Sequence, residues 1–141
     1  MRIIENKTMM KKMLIAATLF SLLAVFLTGC AALNAIKDRL PAPHPVAGGI
    51  LFQYDAPAAQ RVNLAGEFND WGGTLIGPFD PTIDPMTKDE KGVWQIVIPL
   101  DPGRYEYKFV LDGGVVWKHD PNNAERVDDS YGGYNSVIVI K

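Results

Sequence analysis

Residues 103–114 read GRYEYKFVLDGG, and this alternation constrains the fold more than any other stretch. Tyr105, Tyr107, Phe109 and Leu111 fall at every second position, with Arg104, Glu106, Lys108 and Val110 between them. In an extended strand the first set shares one apolar face and the second set the other. Such a strand needs a second layer against which to bury its apolar side. The neighbouring runs repeat the pattern: GILFQYD aligns Ile50, Phe52 and Tyr54, RVNLAGE aligns Val62 and Leu64, and GVWQIVIPL aligns Trp94, Ile96 and Ile98. VVWK and YNSVIVIK complete the series, and no segment after Gly48 has a helical period. Roughly six or seven short strands, punctuated by AP, DWGG, PG and DGG, predict an all-β antiparallel sandwich over residues 47–141. Residues 73–92, which hold Pro78, Pro81 and Pro85, read as an ordered, irregular loop and not as a strand pair.

The chain opens differently. Lys11 and Lys12 precede the apolar run MLIAATLFSLLAVFLT at residues 13–28, which is short for a bilayer span of about 20 residues and fits a signal peptide. The run ends in LTGC, residues 27–30, which resembles a bacterial lipoprotein box: cleavage leaves Cys30, the single cysteine, as a lipidated N-terminus. The alternative is a chance thiol near the end of an uncleaved membrane helix. The domain reading is therefore a signal peptide at 1–29, a lipidated Cys30 with a Pro-rich linker through 46, and the sandwich from 47. Within the linker, PAPHP stiffens an extended tether, and His44 reads as a solvated linker residue. Ala31 is not the aspartate that holds lipoproteins at the inner membrane, so the expected location is the cell envelope, at the outer membrane.

Charge narrows the partners. Residues 1–29 carry four basic residues against one acidic, so their removal takes the formal net charge from −2 to −5. The remaining basic residues are scattered through the sequence, and nucleic acid is not an expected partner. Acyl transfer needs a nucleophile beside a base, and His119 is the one histidine in the domain. Asp112, Asp120, Asp128 and Asp129 all lie in turn-forming sequence and read as turn chemistry and solvated charge. Nothing in this pattern calls for a metal, a cofactor or an enzyme.

GEFNDWGG, residues 66–73, places Trp71 in a turn, where complete burial of an indole is difficult. Trp94 sits at strand period with Ile96 and Ile98 and reads as core. Taken together, VNLAGEFNDWGG, GVWQIVIPLDPGRYEYKFVLDGG, VVWKHDPNN and DSYGGYNSVIVI resemble, in order and spacing, the family 48 carbohydrate-binding modules. The similarity covers about residues 47–141. It implies an early-set immunoglobulin-like sandwich and an α-glucan site: Trp71 and Trp117 as stacking platforms, Lys108 and Asn135 as hydrogen-bonding groups, and Tyr131 as the residue propping a sugar ring. Two positions depart from the family pattern: Gly133 stands where a small hydroxyl residue is common, and the 112–116 hairpin is longer than the shortest versions.

The residue chemistry is consistent with that implication. A glucose ring has C–H faces and a hydroxyl rim, so its binder needs flat apolar platforms and a few edge-on polar groups. Lys108 can only donate, whereas the Asn135 amide donates and accepts. Two function classes stand at this point. One is a lipid-anchored, non-catalytic protein that binds glycogen, starch or maltodextrin. The other is a protein-interaction or envelope-structural module that presents the same aromatics to a peptide or protein partner.

Overall fold

The structure is a computed structural model that describes residues 39–141. The stretch read as a signal peptide, Cys30 and the linker as far as residue 38 lie outside the described residues. Nine strands follow in chain order: β1 (His44–Val46), β2 (Gly49–Asp55), β3 (Val62–Gly66), β4 (Thr87–Lys88), β5 (Val93–Ile98), β6 (Gly103–Leu111), β7 (Val116–Lys118), β8 (Arg126–Asp128) and β9 (Tyr134–Ile140), with one 3-10 turn at Glu67–Asn69. They form two antiparallel sheets, ordered β1-β2-β5-β4 and β3-β6-β9-β8, and β7 adds to β6 in the second. The expected all-β, immunoglobulin-like sandwich is the fold.

The core follows the alternation. Ile50 and Phe52 of β2 and Trp94 of β5 face Val62, Leu64, Tyr107 and Phe109 of β3 and β6, all buried. Two ring pairs stitch the sheets together: Phe52 meets Tyr107 edge-on at 5.0 Å, and Tyr54 lies 4.5 Å from Phe109. Trp94 belongs to this cluster and donates from its indole N–H to the Ala56 carbonyl at 2.9 Å. A buried indole needs such a partner, because an orphaned N–H would carry its full desolvation cost.

Three short strands were not expected. β1 takes up His44, Pro45 and Val46, the end of the stretch read as a tether, and pairs with β2 in the register Pro45↔Ile50. Proline lacks the N–H a central strand would need, so it is tolerated at this sheet edge. β4 lies within the stretch read as strand-free and pairs with β5. Lys88 fastens it: the ammonium donates to the Pro57 and Ala59 carbonyls at 2.6 and 3.1 Å and lies over the Trp94 ring. β8 pairs with β9. Strands of two or three residues are too short to print a period.

The outer face of β6 is also not simply solvated. Val110 is fully buried there, as is Asn63, directly opposite it on β3. Asn63 donates its side-chain amide to the Pro81 and Ile83 carbonyls at 3.0 and 2.8 Å, which holds the irregular 72–85 loop down over this part of the sheet. One face of the second sheet thus packs on the main core, and the other carries a small second layer.

Candidate binding groove

β6 changes partner half-way along one edge. β9 pairs with it as far as Tyr107↔Ser136, and β7 takes over from Phe109↔Lys118. Lys108 stands at the change, and an open groove of about 750 Å³ lies over it. Trp71, Lys108, Trp117, Tyr131 and Asn135 all line this groove, together with Asp129. Residues up to 64 positions apart in the chain meet because the 66–73 turn, the β6–β7 hairpin and the 128–133 loop converge at one end of the sandwich.

Trp71 is held by an unusual turn. Asp70 and Trp71 both adopt left-handed backbone, with φ of 52° and 53°. That conformation is unfavourable for a side chain as large as Trp and persists only where its surroundings enforce it. Asn69 is the clasp: its side-chain oxygen accepts from Gly66 N and Gly72 N at 2.9 and 3.1 Å, while its amide donates to Leu64 O and to Asp84. Trp71 N adds a bond to Gly66 O at 2.9 Å. The indole is left half-buried on a fixed backbone.

Trp117 projects from β7 opposite Val110 and is also half-buried. Its N–H donates to Gly114 O at 3.1 Å, and Phe79 meets its ring edge-on at 5.7 Å. Phe79 reaches this position because Gly72 has no side chain: a Cβ there would stand 2.7 Å from the phenyl ring. Gly72 also has φ of +65°, which a larger residue adopts reluctantly. Phe79 touches both the Trp71 turn at Gly72 and the hairpin at Gly114, so one ring buttresses both tryptophans. The longer hairpin has not carried Trp117 away from the groove.

The polar wall is built around Asp129. Its carboxylate pairs with the Lys108 ammonium and accepts from the Tyr131 and Gly133 backbone N–H groups, each at 2.8 Å. The Lys108 hydrogen bond, followed by those two N–H groups, holds the Asp129 carboxyl well below the usual range, at about 2. Reading Asp129 as solvated charge is corrected, since only 7% of its side chain is exposed. A Cβ on Gly133 would stand 2.7 Å from one carboxylate oxygen, which is a physical reason for glycine at the position where the family pattern has a hydroxyl residue. Tyr131, held at the end of this loop, is 95% exposed. Asn135 donates to Glu106 at 2.9 Å, and Glu106 pairs with Arg104. Burial raises the Glu106 carboxyl, but those two bonds outweigh it and leave it lowered.

Asp120 also departs from the solvated reading. It is buried beside the groove, accepts from Tyr107 O–H at 2.8 Å, and is pushed up by burial. Its backbone N–H donates to Ser136 at 2.7 Å, which ties the 119–123 turn to β9. Phe79, Asn69 and Asp129 are the working residues that sequence reasoning missed. The turn chemistry expected of Asp129 is present, in its bonds to the i+2 and i+4 N–H groups; its pairing with Lys108 is the part that was missed.

Chemically, the groove offers two indoles, an exposed phenol, and both hydrogen-bond donors and acceptors. The Asp129 carboxyl is ionised near neutral pH and holds no proton to give as a general acid. Among the described residues no group of three or more His, Cys, Asp or Glu is placed to hold a metal ion.

The sequence profile of carbohydrate-binding module 48 (isoamylase N-terminal domain) matches residues 41–123. The chain belongs to this family. Similar proteins include the 1,4-alpha-glucan branching enzyme GlgB of Bacillus caldolyticus, 42% identical over 77 residues in an alignment that covers 52% of this chain and 10% of that enzyme. GlgB 2 of Xanthomonas campestris pv. campestris is 35% identical over 94 residues, 62% of this chain and 12% of the enzyme. GlgB of Chlamydia caviae is 41% identical over 92 residues, 61% and 12%. The chain therefore matches about a tenth of the length of these relatives, and the matched family is a carbohydrate-binding module and not a catalytic domain. The profile match starts at residue 41, before β1, in keeping with a sandwich that begins ahead of residue 47.

Proposed function

We propose that this module binds α-glucan, a glycogen-, starch- or maltodextrin-like chain, and does so without catalysis. The observation that carries the reading is the convergence of Trp71 and Trp117 on one groove that Lys108, Asp129, Tyr131 and Asn135 also line. That relatives sharing the module are named for 1,4-alpha-glucan supports the choice of polymer. Each platform contributes about 1 kcal/mol beyond area burial, and the hydrogen bonds add little net because they replace bonds to water. Binding is then weak, roughly −4 to −7 kcal/mol, or millimolar to micromolar. The test is native electrophoresis of the purified chain: retardation in a gel containing glycogen and not in one containing a β-glucan is expected, and equal mobility in both refutes the reading.

The LTGC box and Ala31 support a second part of the proposal, that the module is anchored to the bacterial envelope, at the outer membrane, by lipid on Cys30. One acyl chain gives marginal membrane affinity, whereas two or three give a stable anchor. A protein partner is the competing reading. Leu75 and Ile76, 69% and 91% exposed in the loop that follows Trp71, are what favour it.

A further inference from the structure

We propose that Asp129 sets the charge selectivity of the groove, restricting it to uncharged sugars by balancing the Lys108 ammonium in place. This rests on the glucan reading and goes beyond it, because it assigns a specificity role to a residue outside the platform and donor set. Lys108 and Asp129 are both largely covered, with 13% and 7% of their side chains exposed. A lone ammonium so placed would favour an anionic ligand, since charges partly withdrawn from water interact more strongly than exposed ones. Paired with Asp129, the ammonium has no net charge to offer, yet two of its three N–H donors remain for hydroxyls. The other groove-lining cation at this wall, Lys118, is exposed and screened by solvent and salt. Behind Asn135 stands Glu106, which Arg104 balances in the same way, so neither charge of that pair favours an anion.

The geometry shows that the pair is built in and is not a chance surface contact. One Asp129 oxygen accepts from both Tyr131 N and Gly133 N at 2.8 Å, which leaves the other oxygen turned to Lys108. Any side chain at 133 would meet that second oxygen, with a Cβ at 2.7 Å. Gly133 therefore leaves room for the carboxylate, and the carboxylate shapes the loop that carries Tyr131.

Asp129→Asn tests the idea: the asparagine oxygen can still accept both backbone N–H groups, while the negative charge is lost and the amide NH2, a donor, faces the ammonium and leaves it unpaired. Affinities of wild type and variant are measured for maltoheptaose and for a maltodextrin bearing phosphate esters. Wild type is expected to prefer the neutral sugar. In the variant the ratio of affinities should move toward the phosphorylated sugar by about tenfold at low salt, and the change should fade at high salt. A mere loosening of the loop would weaken both sugars alike. If wild type binds maltoheptaose and the variant alters both affinities by one factor, the proposal fails and the glucan reading survives. If wild type binds neither sugar, both fall. Should Asp129→Asn not fold, Asp129→Ser, whose hydroxyl can accept from Tyr131 N, is held to the same ratio.

Discussion

Phe79 is the most informative residue to remove, because it does not line the groove and yet touches the supports of both platforms. Phe→Ala in a full core costs about 3 to 5 kcal/mol. Phe79 is only half-buried, so roughly half of that, about 1.5 to 2.5 kcal/mol, is the expected local cost. Much of it should appear as loosening of the 72–85 loop and not as global unfolding, since the main core lies on the other side of the second sheet. Trp117 would lose its edge-on partner, and the Trp71 turn the ring against Gly72. If both indoles then sample orientations that do not stack, up to about 2 kcal/mol of platform energy is forfeited, close to thirtyfold in affinity. Phe79→Ala is thus expected to weaken glycogen binding by about five- to thirtyfold, with an intact cooperative melt. Phe79→Leu, which refills the space without an aromatic edge, should recover most of the loss. Affinity electrophoresis paired with thermal unfolding reads both quantities. A folded Phe79→Ala protein that binds as wild type would show that the platforms are oriented without this ring, and the buttress argument would be wrong.

The platforms themselves are tested by Trp71→Ala and Trp117→Ala, each expected to weaken glucan binding by about five- to fiftyfold, or 1 to 2.3 kcal/mol, while the domain stays folded. Wild-type affinity in either folded variant removes that tryptophan from the site. In a lipoprotein-competent bacterial host, an alkynyl fatty acid should label wild type and not Cys30→Ser; label that persists in the variant, or never appears in wild type, excludes the anchor. The buried Asp120 gives a pH signature. Its folded-state carboxyl is raised, so the native state binds its proton more tightly than the unfolded chain, and stability at this residue falls as pH rises past the unfolded value of about 3.9. Asp120→Asn removes that loss. Its melting temperature relative to wild type should therefore be higher at about pH 7 than at about pH 4, and the opposite order in thermal melts would contradict the assignment.

How much of the fold could be read in advance depends on how locally each part is encoded. β6 repeats apolar residues over nine positions, and β2 and β5 do so over seven and six, so period alone reveals them and the pairing of their faces follows. β1, β4 and β8 have three, two and three residues. Their extended backbone is imposed by neighbours, as Lys88 shows by tying β4 to carbonyls about thirty residues earlier. For the same reason the first residues of the sandwich read as tether. A proline-bearing segment at a sheet edge and a proline-bearing linker have one composition, and only the partner strand distinguishes them.

The groove divides along the same line. Trp71 could be singled out because an indole in a turn is costly to leave there without use, an argument that needs only eight consecutive residues. Lys108, Trp117, Tyr131 and Asn135 were reachable through family resemblance alone, since nothing local separates Lys108 from any solvated strand lysine. Phe79 was legible by neither route, and of Asp129 the turn role was legible but the pairing with Lys108 was not. Phe79 sits in a proline-rich loop with no period, and its role depends on two glycines, one seven residues before it and one thirty-five after. Asp129 stands in DDSYGG, where either aspartate has the residue type to cap the turn. What distinguishes it is that Lys108, on β6, pairs with it directly. Residues that present a ligand surface are chosen for what they expose, which leaves a trace in the local sequence. Residues that orient that surface are chosen for distant neighbours, and their role emerges only once the chain has folded.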